Sequence, residues 1–96
     1  MANFSRLAAI CGALTVTAAC ALPPQGVKPD QMAAYDGAVA SVGCVMENEP
    51  QYLAVEIQTG MTREQAIAMG KFRVAAGQAK PTEAGGIRLT SGACAA

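Results

Sequence analysis

The sequence predicts a mainly α fold that ends in a β-hairpin, an α+β arrangement of three helices in one compact domain. Between positions 30 and 77, apolar residues recur at helical spacing and the pattern is interrupted by glycines. From Gln78 the pattern changes to a period of two, which is typical of strands. A signal-like segment precedes this region, and the roughly 76 residues after it are enough for one small domain.

The first twenty residues have the layout of a secretory signal. Arg6 supplies a positive start, Leu7 to Ala19 carries no charge, and small residues follow around Cys20. The apolar stretch is too short for a transmembrane helix, which needs about 20 apolar residues. The pattern therefore predicts export, with residues 1–19 as the signal peptide. The alternative is that residues 7–19 form an Ala-rich buried helix of a cytoplasmic protein.

Two cleavage sites compete at the end of this segment. Ala19-Cys20-Ala21 is an A-x-A site, so cleavage there removes residues 1–21 and releases a soluble periplasmic protein. Val16-Thr17-Ala18-Ala19-Cys20 resembles the lipobox of bacterial lipoproteins, with Thr17 where that family most often has leucine. The resemblance implies a lipid anchor at Cys20, and Ala21 implies the outer membrane. Residues 20–29, rich in Pro, Gly and Ala, then form a flexible tether.

Two of the four cysteines are expected to remain available for a disulfide in the mature chain. Cys11 leaves with the signal, and Cys20 is either lipidated or removed, so Cys44 and Cys94 remain in an oxidising compartment. We expect a structural disulfide between them, worth about 4 kcal/mol in the chain-entropy model. The chain has no histidine, no close cysteine pair and no C-x-x-C sequence, which argues against a zinc or thioredoxin-like site.

The first helix is predicted over about residues 31–43. Asp30 after Pro29 is a suitable N-cap, and Gly43 a suitable stop. Its apolar stripe is predicted to contain Tyr35, Val39, Val42 and Met46.

The second and third helices carry capping signals. For the second, Asn48 and Gln51 form a capping-box pair and Gly60 marks the end, although the alternation Leu53, Val55, Ile57 also fits a strand. As a helix, it should use Leu53 and Ile57 as its apolar face.

For the third helix, Thr62 and Gln65 form the capping pair and Gly77 marks the end. Its predicted apolar face contains Ile67, Gly70 and Val74, and Phe72 and Met69 broaden it. Residues 79–83 and 87–90 then flank a Gly85-Gly86 turn, and Pro81 assigns the first of these strands to an edge.

This order of elements, carried by residues 48–90, resembles a winged-helix domain. In that family the capped helix enters the DNA major groove and the hairpin is the wing. The resemblance would place basic residues on these two elements, which makes them a candidate partner surface: Arg63, Lys71, Arg73, Lys80 and Arg88.

Charge and composition argue against the function of that family and against catalysis. The mature chain carries six Lys or Arg against seven Asp or Glu once Arg6 is lost, whereas DNA binding needs a basic excess. The carboxylates are scattered, and no nucleotide-binding loop is present.

We therefore expect a small exported cell-envelope protein, a lipid-anchored and non-enzymatic binding or structural module. Its expected contacts are the membrane through Cys20 and another envelope protein, without nucleic acid, small-molecule substrate, cofactor or metal. The alternative is a cytoplasmic winged-helix DNA-binding protein.

Overall fold

A computed structural model describes residues 22–95, and the predicted signal segment with Cys11 and Cys20 lies outside this range. The fold is mixed α+β, and the predicted three helices with a C-terminal hairpin are confirmed. A 3₁₀ turn, Gly92–Cys94, follows the last strand. The helices and strands are, in order, α1 (Pro29–Ser41), β1 (Val45–Met46), α2 (Glu49–Thr59), α3 (Arg63–Ala75), β2 (Ala79–Pro81) and β3 (Ile87–Leu89).

Helix α1 begins earlier than predicted, and Asp30 is not its N-cap. Lys28 holds that position, and its backbone N–H donates to the side-chain oxygen of Gln31 at 3.0 Å. Pro29 is the first helical residue because its fixed φ suits that position and its missing N–H would be unpaired there anyway. Asp30 lies in the first turn, where the helix dipole favours a carboxylate.

The predicted capping pairs of α2 and α3 are confirmed. Asn48 Oδ1 accepts from the Gln51 N–H at 3.1 Å, and Gln51 Oε1 accepts from the Asn48 N–H at 3.1 Å. Thr62 and Gln65 repeat this exchange at 3.1 and 3.0 Å. Gly60 ends α2 in the left-handed conformation, with φ 74°. The capping signal therefore decides between the helix and the strand that the alternating pattern left open.

The predicted apolar face of α2 was wrong, and that of α3 was correct except for Ile67. Leu53 and Ile57 are 48% and 74% exposed, whereas Val55 is buried in their place. On α3, Gly70 and Met69 are buried as predicted, whereas Ile67 is exposed.

The three strands form one antiparallel sheet in the order β1-β3-β2. Strand β1 was not predicted, because two residues are too short to show alternation. The Pro81-containing strand β2 lies at an edge, as predicted. Glycine is required at position 86, because a Cβ atom there would overlap with the backbone carbonyl of Met46. The absence of a side chain at Gly86 thus allows β1 to lie against the hairpin, where it pairs with β3.

The core lies between the three helices and one face of the sheet. Val27, before α1, packs against this core together with residues of every helix. The largest fully buried side chains are Tyr35, Val39, Met46, Val55, Met69 and Leu89.

Candidate functional site

The disulfide links the turn after α1 to the end of the chain. Cys44 and Cys94 are bonded, with their Cα atoms 5.7 Å apart and 50 positions apart in sequence. Gly43 and Cys44 both have positive φ, 97° and 68°, so the chain reverses sharply before β1. The Cys44 N–H donates to the carbonyl of Val39 at 2.9 Å, which holds the reversal against α1. The predicted pairing of these two cysteines is thus present in the fold.

Arg63, a residue of the predicted partner surface, is engaged inside the fold. Its guanidinium donates to both oxygens of Glu49 at 2.9 and 2.6 Å and also pairs with Glu56. Its Cζ lies 5.1 Å from the centre of the Tyr52 ring. The hydrogen bonds from Arg63 lower the pKa of the Glu49 carboxyl below its ordinary value. The same bonds raise the pKa of Arg63, so it remains charged and fastens α3 to α2.

Arg73 is likewise used to hold helices together. It donates to both carboxylate oxygens of Asp36 at 3.1 and 2.9 Å, and to Gln78 Oε1 at 2.7 Å. Its side chain is only 11% exposed. Neither Arg63 nor Arg73 therefore presents a free guanidinium to a partner, and the five-residue surface divides into two groups.

The other three basic residues, Lys71, Lys80 and Arg88, are exposed. Within residues 22–95, none of them has a carboxylate within salt-bridge distance. Lys80 and Arg88 are direct partners in the register of β2 and β3. Directly opposed residues of an antiparallel pair have Cβ atoms on the order of 5 Å apart and point to the same face. The sheet thus brings together two of the predicted residues, which sequence separation alone could not show.

An open depression of about 980 Å³ lies beside this pair. Lys80 and Arg88 line it together with Thr90, while Cys44 and Cys94 contribute the disulfide to its wall. Lys80 and Arg88 also line a second, smaller depression, here together with Glu47 and Glu83. The first depression has no acidic residue in its lining, so it is the side of the pair from which an anionic group would meet no carboxylate.

A buried phenol is the other unusual polar group. Tyr35 is fully buried, and its hydroxyl is the one buried side-chain polar atom in the described range without a hydrogen-bond partner. Burial, with smaller contributions from Tyr52 and Asp36, raises the pKa of Tyr35 well above its usual value. A neutral phenol in this position acts as part of the core.

No group of three or more metal-ligating side chains occurs among residues 22–95. None of the helices in that range is both long and apolar enough to cross a membrane. The predicted lipid attachment at Cys20 lies outside the described residues.

The chain matches no protein-family model, and no curated protein or solved structure is significantly similar to it.

Proposed function

We propose that this protein is an exported, non-enzymatic binding module of the bacterial cell envelope, anchored by a lipid at Cys20 and facing the periplasm. The observation that carries the proposal is the Cys44–Cys94 disulfide. Disulfides persist in oxidising compartments and are rare in the cytosol. The signal-like start of the chain supplies the route to such a compartment.

The length of chain between Cys20 and the domain suits a short tether. Val27 is the first residue that packs against the core, seven positions after Cys20. An extended chain spans at most about 3.6 Å per residue, so the core would lie within about 25 Å of the anchor. A domain held this close to the membrane would meet other envelope proteins or the membrane surface itself.

Binding is favoured over catalysis by the way the charged groups are used. Arg63 and Arg73 are each satisfied by carboxylates of a neighbouring helix, which stabilises the fold. The chain has no histidine to activate a nucleophile. Lys80 and Arg88, two of the basic residues that remain free, lie on exposed strands beside an open depression, where a partner surface could reach them.

Intact mass spectrometry of the protein purified from envelope fractions tests the proposal. A mass that starts at Cys20 and includes a diacylglyceryl group and an acyl chain is expected. The matched control is Cys20→Ala, which should lose the lipid mass and leave the membrane fraction. A mass starting at Leu22 would show that the protein is released in soluble form and is not lipid-anchored. The mass of an unmodified full-length chain would overturn export.

Thiol alkylation gives an independent second readout. In the exported protein, Cys44 and Cys94 should react only after reduction. Free thiols in the unreduced protein, together with a retained N-terminus and salt-sensitive binding to duplex DNA, would support the cytoplasmic DNA-binding alternative instead.

A further inference from the structure

We infer that the Lys80–Arg88 pair binds an acidic segment of a partner protein, in which two carboxylates lie close together along an extended chain. This inference rests on the proposed function, because it names the chemical class of the partner that a non-enzymatic binding module would bind. The starting observation is that β2 and β3 place two cations directly opposite each other. Like charges in this position destabilise a sheet unless something neutralises them.

The fold neutralises its other arginines but not this pair. Arg63 and Arg73 each pair with at least one carboxylate. For Lys80 and Arg88, no ion pair is formed by any residue between 22 and 95. Glu47 and Glu83 line a depression together with Lys80 and Arg88 but form no ion pair with them, so both cations stay available to a counter-charge from outside.

The depression beside the pair determines the direction of approach. Its walls include Thr90 and the disulfide, and none of the carboxylate side chains between residues 22 and 95 lines it. In the smaller depression, which the same two cations line, Glu47 and Glu83 would repel an anion. A partner segment should therefore enter from the disulfide side and should carry a short acidic motif, because a long acidic run would extend towards these two glutamates.

The spacing of the cations fits a peptide. In an extended chain, residues i and i+2 point to the same side and lie about 7 Å apart. Two carboxylates at that spacing can each reach one of two flexible basic side chains whose Cβ atoms are on the order of 5 Å apart. The guanidinium of Arg88 can additionally hold a carboxylate through two parallel hydrogen bonds.

An NMR titration of the purified, disulfide-bonded protein tests this inference. The probe is the peptide acetyl-Glu-Ala-Glu-Ala-amide, and its control is the same peptide with both glutamates replaced by glutamine. At low salt, the acidic peptide should shift the backbone amides of Lys80, Arg88 and Thr90, and the glutamine peptide should not. Raising the salt concentration should weaken the effect, as expected for exposed charges.

Charge-neutralising variants identify the site. Lys80→Gln and Arg88→Gln should each weaken peptide binding by about threefold, the effect of an exposed ion pair, and the double variant should weaken it further. Lys71→Gln removes the same charge from an exposed position on α3 and should bind normally. The midpoint of urea unfolding should stay the same or rise in the strand variants, so loss of binding cannot be attributed to unfolding.

Three results would overturn the inference. These are equal binding of the two peptides, an equal loss in Lys71→Gln, and inorganic phosphate shifting the same amides at lower concentration than the peptide. Failure here is distinguishable from failure of the proposed function. A lipidated mass starting at Cys20 together with a flat titration would reject the acidic-peptide site alone, whereas an unmodified full-length mass would reject export whatever the titration shows.

Discussion

Arg73 of α3 and Asp36 of α1 form a two-point ion pair, with Nε–Oδ1 and Nη2–Oδ2 distances of 3.1 and 2.9 Å. The arginine side chain is 11% exposed and the aspartate side chain 33%. The same guanidinium also bonds to Gln78, just before β2. One side chain therefore connects the first helix, the third helix and the start of the hairpin.

Replacing Arg73 should destabilise the fold. Arg73→Met keeps the apolar length of the side chain but leaves Asp36 without its partner, and we expect a loss of about 2 kcal/mol in the free energy of unfolding. Urea denaturation followed by circular dichroism measures this. Lys71→Met on the same helix is the control, and it should change stability by less than about 0.5 kcal/mol. Equal effects of the two variants would show that the ion pair is not a stabilising contact.

The disulfide should contribute strongly to stability in a domain of this size. It closes a loop between positions 50 apart, and the chain-entropy model assigns such a loop about 4 kcal/mol, with 2–4 kcal/mol typical of measured cases. The double variant Cys44→Ser/Cys94→Ser should lose a comparable amount in urea denaturation. Reductant should destabilise the native protein to the same extent and leave the double variant unchanged. Sensitivity of the double variant to reductant would contradict this assignment.

The elements of this fold could largely be predicted because their signals are local. Asn48 with Gln51, and Thr62 with Gln65, are capping pairs that lie three residues apart and act within one helical turn. Such signals do not depend on the rest of the chain. The pairing of Cys44 with Cys94 was also predictable, because these are the two cysteines that follow the predicted signal segment and Cys20 in the sequence.

The use of the basic residues could not be predicted, because it depends on contacts between distant elements. Arg73 meets Asp36 across 37 positions, and Arg63 meets Glu49 across 14. Sequence alone cannot distinguish a basic residue that holds two helices together from one that faces a partner. The adjacency of Lys80 and Arg88 likewise depends on the strand register, which is known only once the hairpin has formed.

Gly86 should tolerate no side chain. A Cβ atom at this position would overlap with the carbonyl oxygen of Met46, so Gly86→Ala must displace β1 from the hairpin. We expect a loss of about 3 kcal/mol, the size seen when strain is forced into a packed site. Gly85→Ala is the matched neighbour, where φ is 88° but no atom lies within 4 Å, so it should cost only about 1 kcal/mol. Both are measured by urea denaturation, and a larger loss in Gly85→Ala would contradict the close approach.

The contact between Glu49 and Arg63 should make stability depend on pH. The hydrogen bond from Arg63 lowers the pKa of Glu49 in the folded protein from its ordinary value of 4.5. A carboxyl whose pKa is lower in the folded state than in the unfolded state contributes stability above pH 4.5, and that contribution disappears as the pH falls through the folded-state pKa. The melting temperatures of the native protein and of Arg63→Gln should therefore converge as the pH falls below 4.5 and through the folded-state pKa of Glu49.

A carbon-13 NMR titration of the Glu49 carboxyl provides the direct check. Its midpoint should move up towards 4.5 in Arg63→Gln, and high salt should produce part of the same change. An unchanged midpoint in the variant would show that Arg63 does not hold this carboxylate in solution.

The hydroxyl of Tyr35 should add nothing to stability. It is buried and has no hydrogen-bond partner within the described chain, and an unpaired buried polar group is unfavourable. Tyr35→Phe keeps the packed ring and should leave the free energy of unfolding unchanged or raise it by about 1 kcal/mol. Tyr35→Ala is the contrasting variant, and loss of the ring should cost about 3–5 kcal/mol, as for other large buried aromatic residues.

Absorbance at alkaline pH gives a second measurement on the same phenol. Because burial raises the pKa of Tyr35, its tyrosinate signal should appear only as the domain unfolds, and Tyr35→Phe should remove that late component. A loss of more than about 1 kcal/mol in the free energy of unfolding of Tyr35→Phe would contradict the absence of a hydrogen-bond partner. Only the removal of a hydroxyl that forms a hydrogen bond in solution would cost that much.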